Sequence, residues 1–264
     1  MGDIWSSLLL FILLCGSAGI GFFANSRLPE RHRSKESMEV VQLANTLLVT
    51  FIAIVLGLLT TSVKAGYDLA YNARGDYAAQ ITQLDRCLRD YGPDTAPIRE
   101  QLKSYVATII ARTWPSEPPP VGVSYPDISQ MARIGENPIL VEMINEVGRE
   151  TRLLQPADPL HRNLLAACTE QFGDLIKSRW KVIEGLRPSI SEPFYWVLVF
   201  WLVILFASFG LRAPPNLVIV SIIGLCALSV TSAVFVILDM DRAYGGLFGI
   251  PSTAMRNALA DMMR

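Results

Sequence analysis

Charge is what this sequence has least of where it would matter most. Four long stretches contain no Asp, Glu, Lys or Arg: Ile4 to about Ala24, Val40 to about Ser62, Phe194 to Leu211 and Leu217 to Leu238. Over the whole 264 residues charged side chains make up 18%, against roughly 25% in soluble domains. The net charge of −1 gives nucleic acid nothing to be drawn to. Histidine occurs twice, as His32 and His161, with no neighbour at metal-ligand spacing. No C-x-x-C occurs among the four cysteines. The phosphate-binding G-x-x-x-x-G-K-[ST], the nucleophile elbow G-x-S-x-G and the zinc motif H-E-x-x-H are all missing. No titratable cluster suggests an enzyme, and no cofactor or metal site is expected.

Hydrophobicity is abundant and unevenly placed. Apolar residues form 51% of the chain and gather towards its two ends. A hydrocarbon core about 30 Å thick needs about 20 mostly apolar residues in a helix. Each of the four stretches meets that length. An all-α integral membrane protein follows, with two membrane helices before and two after a helical extramembrane domain. The expected divisions are 1–64, 65–191 and 192–240, with a tail over 241–264. The first stretch has no Lys or Arg ahead of it and is too long for a signal-peptide core, so it reads as a retained span. Its small residues Cys15, Ser17, Gly19 and Gly21 would let another helix approach. Tyr195 and Trp196 suit the bilayer interface at the start of the third span. The "LRAPPN" link makes spans three and four a hairpin.

The middle reads as helices. One covers Ala65 to Tyr91 and stops at Gly92-Pro93; a second covers about Ala96 to Trp114. After the proline-rich "WPSEPPPVGVSYP", a third starts near Pro138 and reaches about Leu154. The fourth opens at Asp158-Pro159 and runs to about Leu186. Tyr67, Tyr71, Ala78, Ile81, Leu84, Leu88 and Tyr91 form an apolar stripe on the first of these. Arg74 lies on the same stripe, either snorkelling at a domain edge or acting as a buried anchor or anion contact. Nothing but isolated glycines separates the second span from this segment. The two join into one helix of about 50 residues, about 75 Å long.

Thr46, Thr50, Ala53, Gly57, Thr60, Thr61 and Lys64 share one face of the second span, opposite Ile52, Val55, Leu56 and Leu59. Small and hydroxylated side chains there allow close helix packing, with hydroxyls bonded to their own backbone. They would equally suit a water-filled ion path, with Lys64 at its mouth favouring anions. Four helices are too few to enclose a wide pore, so the second reading requires several copies around an axis. Asp239 and Asp241 could contribute to a cation site, but two carboxylates are few for calcium, and capping or pairing with Arg242 is the simpler role. Cys87 and Cys168 read as two buried thiols.

"LGLLTTSVKAGYDLAYNAR" followed by "LDRCLRDYG" resembles the bestrophin-like family, and more distantly the bacterial bestrophins. Gly57, Tyr67, Asp68, Ala73 and Arg74 are the matching positions. Asn72 stands where the bestrophin pattern has Glu, and Ala70 and Tyr71 replace adjacent tryptophans. "LDMDRAYGGLFGIPSTAMRNAL" resembles the Leu-Asp-Arg-Pro-Phe-x-Gly signature through Asp241, Arg242 and Gly246, with Leu247 following; Ala243 and Tyr244 replace Pro-Phe. The resemblance implies a homopentamer in the lipid bilayer, an anion channel passing inorganic ions, with the Thr46–Lys64 face on its axis. The other reading is a non-conducting scaffold or sensor that binds a partner through the loop around Pro118–Pro120.

Orientation is contested. Arg27, Arg31, Arg33 and Lys35 crowd the first connector, which places it in the cytoplasm and the domain outside. The same basic cluster would also suit anionic lipid headgroups. The resemblance implies a cytosolic domain, and Lys64, Arg179, Lys181, Arg187 and Arg242 near the other span ends agree with it. The balance leans to a cytosolic domain at a bacterial inner membrane. A bridge between Cys87 and Cys168 would reverse it.

Overall fold

The computed structural model describes residues 2–27, 35–129, 131, 135–185, 192–214 and 216–264. The regular elements among the described residues are helices, with no strand among them. The helices are α1 (Gly2–Arg27), α2 (Lys35–Tyr91), α3 (Ala96–Thr113), α4 (Pro138–Leu153), α5 (Pro159–Glu184), α6 (Glu192–Arg212), α7 (Leu217–Met240) and α8 (Thr253–Met262). Arg31, Arg33 and Arg187 lie outside the described residues. The chain divides into two compact units.

The first unit comprises Met1–Gly66, Pro188–Arg242 and Gly246–Phe248. It contains α1, the first part of α2, α6 and α7, each long and apolar enough to cross a membrane. Leu10, Leu14 and Ala18 of α1 pack with Leu198, Leu202 and Phe206 of α6 and with Ala227 and Val234 of α7. Glycine decides how near α1 and α6 approach. A Cβ on Gly21 would lie 2.0 Å from the Ala207 carbonyl oxygen, and one on Gly210 would lie 2.0 Å from that of Ala18. Close backbone approach replaces the hydrophobic drive that lipid does not supply. Of the small residues expected to serve such packing, Ser17 and Gly21 are buried, whereas Gly19 is exposed with nothing near it. Polar bonds join α6 to α2: Ser208 Oγ donates to Asn45 Oδ1 at 2.7 Å, and Arg212 to Gln42 Oε1 at 2.7 Å. Outward-facing Leu9, Ile12, Phe23, Phe200 and Leu225 supply the apolar surface lipid requires.

The second unit comprises Tyr67–Arg187, Ala243–Gly245 and Gly249–Arg264. Ile81, Leu84 and Leu88 of α2 are buried against Leu102, Val106 and Ile110 of α3, Ile144 and Val147 of α4 and Leu175 of α5. Helix ends follow local chemistry. α2 stops where Gly92 takes φ 125°, and Pro93 opens a 3-10 turn. Asp158 caps α5 by accepting from the His161 amide at 2.9 Å, and Asn137 caps α4 by accepting from Ile139 at 2.9 Å. α8 has no counterpart in the sequence expectations. It is held by Met255, Leu259 and Met262 in the core and by Arg256, which donates to Glu117 at 2.9 Å and to the Pro118 carbonyl at 2.8 Å. The proline-rich segment is thereby tied to the unit.

Two sequence expectations are corrected here. Tyr71 is 51% exposed; Tyr91 is buried as expected, and the stripe also buries Tyr77, whose hydroxyl bonds that of Tyr105 at 2.5 Å. A residue at the edge of a stripe turns in or out according to its neighbours, which periodicity alone does not describe. Cys87 and Cys168 are not two thiols but a disulfide, linking α2 to α5 across 81 residues with Cα atoms 5.5 Å apart. Their separation carries no spacing signal, and only the packing of α2 on α5 brings them together.

Candidate functional site

The stripe on α2 faces outward. Thr46, Thr50, Ala53, Gly57, Thr60, Thr61 and Lys64 are all exposed. The other side of the helix faces its own unit: Ile52 is buried, and Leu48, Val55, Leu56 and Leu59 pack against the membrane core. Each threonine hydroxyl donates one turn back, Thr46 to Gln42 at 3.0 Å, Thr50 to Thr46 at 2.9 Å, Thr60 to Leu56 at 2.7 Å and Thr61 to Gly57 at 2.9 Å. These bonds satisfy the hydroxyl protons within the helix and leave oxygen lone pairs facing outward. The chain thus presents a continuous row of small and hydroxylated positions that none of its own helices covers.

Asp239, Asp241 and Arg242 lie where α7 ends. Asp239 is buried, and its carboxylate accepts from the amides of Leu247 at 2.9 Å and Phe248 at 2.8 Å. Gly246, at φ +77°, makes this turn possible: a Cβ there would fall 2.0 Å from an Asp239 oxygen. The Arg242 amide donates to the Asp239 carbonyl at 3.3 Å. Asp239 is thus engaged in closing a turn. No group of three metal-ligating side chains occurs among the described residues.

Arg74 does not snorkel. It is 5% exposed, and its Nε donates to the Tyr244 hydroxyl at 3.1 Å. Its guanidinium lies 4.6 Å from the Tyr244 ring centroid and 5.2 Å from that of Trp114. Tyr244, which stands where the bestrophin signature has Phe, is therefore a direct partner of Arg74, one of the matches. Sequence reasoning missed Asp85, 1% exposed, whose carboxylate accepts from Arg99 at 2.8 Å and Arg89 at 3.0 Å. Arg89, at i+4, was a legible partner; Arg99 belongs to another helix.

Four apolar helices of spanning length, one bearing an uncovered polar stripe, define an integral membrane protein of helical class. A family model described as the Bestrophin-like domain matches residues 12–255, and the chain belongs to the bestrophin-like family. Two solved variants of a bacterial bestrophin homologue from Klebsiella pneumoniae are similar in fold. One has a TM-score of 0.67 at 13% identity, covering 98% of this chain and 99% of that one. The other has 0.69 at 13%, covering 98% of each. A structure described only as a membrane protein has 0.64 at 16%, covering 98% and 99%. Identity this low speaks for the fold alone. No curated protein matches the chain.

Proposed function

We propose that this protein is a homo-oligomeric ion channel whose α2 stripe, Thr46 to Lys64, lines a path along the axis between identical subunits. One observation carries the reading: the small and hydroxylated face of a membrane helix is exposed along its whole length, while Ile52, Val55, Leu56 and Leu59 pack against their own unit. Threonines facing lipid would gain nothing from their outward lone pairs, whereas around an axis they meet water and ions. Breaking a threonine–backbone bond to serve a passing ion costs only ~1 kcal/mol. A ring of five copies follows the bestrophin pattern, and Lys64, repeated round the ring, favours anions by charge.

Purified protein in liposomes should pass current, and cysteines placed at Thr50 and Gly57 in a Cys15→Ala, Cys226→Ala background should be blocked by water-soluble thiol reagents. Lys64→Glu should move the reversal potential towards cations. Current with no block at either position would remove α2 from the path.

The disulfide supports placing the second unit on the oxidising side of a bacterial inner membrane, together with the basic first connector, which belongs in the cytoplasm. This reverses the orientation implied by the bestrophin resemblance. Alkaline phosphatase fused after Arg264 should be active and a green fluorescent protein at the same place dark. The converse pair of results would put the unit in the cytosol.

A further inference from the structure

One basic side chain interrupts an otherwise apolar cleft in the first unit. Phe209, Arg212 and Ala213 at the end of α6 and Ile219, Ile222 and Ile223 at the start of α7 line a part-open cleft of about 330 Å³. Pockets that hold organic ligands run from roughly 300 Å³ upward. No Asp or Glu is among its described lining residues. The hairpin turn shapes it: the Ala213 amide donates to the Phe209 carbonyl at 3.2 Å, and Asn216 caps α7 by accepting from the Ile219 amide at 2.8 Å. Leu217, Val218 and Ile222, at the start of α7, are exposed apolar residues.

Both α6 and α7 are of spanning length, so their shared end lies at a membrane surface. Arg212 is in the last turn of α6, where a long basic side chain reaches the headgroup layer while its stem stays among apolar groups. It is exposed, and it donates to the Gln42 side-chain oxygen of α2 at 2.7 Å. That partner is a neutral amide. The bond orients the guanidinium and uses one of its five N–H donors. α1 ends at the same place, since the α1 and α6 backbones meet there at Gly21 and Gly210. Arg27, in the last turn of α1, adds a second cation to that end.

An apolar cleft opening on a bilayer is filled by hydrocarbon, because an empty one forfeits dispersion contacts with its lining. Any acyl chain serves, so the isoleucines do not choose among lipids. Arg212 does. Its fork matches a phosphodiester, and a headgroup with no amine of its own keeps a net negative charge beside it. A zwitterionic headgroup brings the same phosphate together with a cation. A soluble phosphate would meet five apolar lining residues, which offer it no hydrogen bond in place of water.

We propose that the α6–α7 cleft binds an anionic phospholipid, with one acyl chain along Ile219, Ile222 and Ile223 and the phosphate at Arg212. The site is complete within one chain and stands whether or not the protein conducts.

Full-length protein in detergent, melted at constant ionic strength, tests it with phosphatidylglycerol, phosphatidylcholine or sodium phosphate at equal phosphate concentration. Phosphatidylglycerol should raise Tm by about 3 °C or more, phosphatidylcholine clearly less and sodium phosphate not at all. Arg212→Gln should cut the phosphatidylglycerol rise to that of phosphatidylcholine. Ile222→Trp, which crowds the cleft and keeps Arg212, should raise the lipid concentration giving half the shift about fivefold or more. Arg27→Gln, at the same end but outside the cleft, should keep the rise. The proposal is overturned if phosphatidylglycerol leaves Tm unmoved, if phosphatidylcholine or sodium phosphate acts equally, if Arg212→Gln keeps the wild-type shift, or if Arg27→Gln loses as much as Arg212→Gln. Should Arg212→Gln fail to fold, a half-shift concentration unchanged in Ile222→Trp is the overturning result.

Discussion

Asp85 shows how a single buried carboxylate ties helices together. It accepts from Arg89 on its own helix and Arg99 on the next, and Arg99 also reaches the Met262 carbonyl at 3.4 Å at the end of α8. Removing the carboxylate leaves two guanidiniums that are only partly solvated, with side-chain exposures of 42% and 19%. Asp85→Ala should therefore lower unfolding free energy by about 2–4 kcal/mol, below the upper range for fully buried pairs because water can reach both arginines. Denaturant unfolding of the detergent-solubilised chain measures it, with Lys177→Ala as control, since the Lys177–Asp174 pair is largely exposed. Equal midpoints would show that water substitutes for Asp85.

At the scale of elements, two attachments differ in kind. α1 and α6 meet through glycine, so side-chain volume is the threat. Gly210→Val would drive carbon into the Ala18 carbonyl and the Phe22 amide, which are backbone atoms that cannot rotate away. A loss of about 2 kcal/mol or more is expected, read as a lower Tm and a lower yield of folded protein. Gly19→Val, at a position open on all sides, should change neither. α8 is attached through charge as well as through its apolar face. The Ser252 hydroxyl, and after it Arg256, hold the Glu117 carboxyl below its ordinary 4.5, outweighing the upward push of burial. A depressed folded-state pKa stabilises above the unfolded value and fades as pH falls through the folded one. The α8 attachment should therefore be intact above about pH 4.5 and weaken below it. Hydrogen exchange in Thr253–Met262 should accelerate on acidification, and Glu117→Gln should flatten that dependence.

For the whole molecule, the disulfide is the strongest single constraint. Closing 81 residues of sequence separation removes much freedom from the unfolded chain, about 4.5 kcal/mol in the chain-entropy account. Cys87→Ser with Cys168→Ser should lower Tm substantially, and reductant should do the same to the native chain on unfolding. Mass spectrometry of protein taken from the membrane with thiols blocked should find the two cysteines joined. Free thiols at both positions would also remove the redox argument for an extracytoplasmic unit.

Much of this architecture was legible in the residues. The spans follow from apolar runs long enough for a bilayer, and α2 continues past Ser62 because no proline or paired glycine breaks its hydrogen bonding. Asp158 and Gly92 mark helix ends by local chemistry. The threonine row could be read from spacing, but not whether its own chain would cover it. Periodicity assigns residues to a face and says nothing of what that face meets. Tertiary structure alone decided that Cys87 meets Cys168, that Asp85 serves two helices, and that Arg212 meets Gln42 beside the α6–α7 cleft. Each of those joins residues from separate helices, and their meeting depends on how helices pack, which local sequence does not encode.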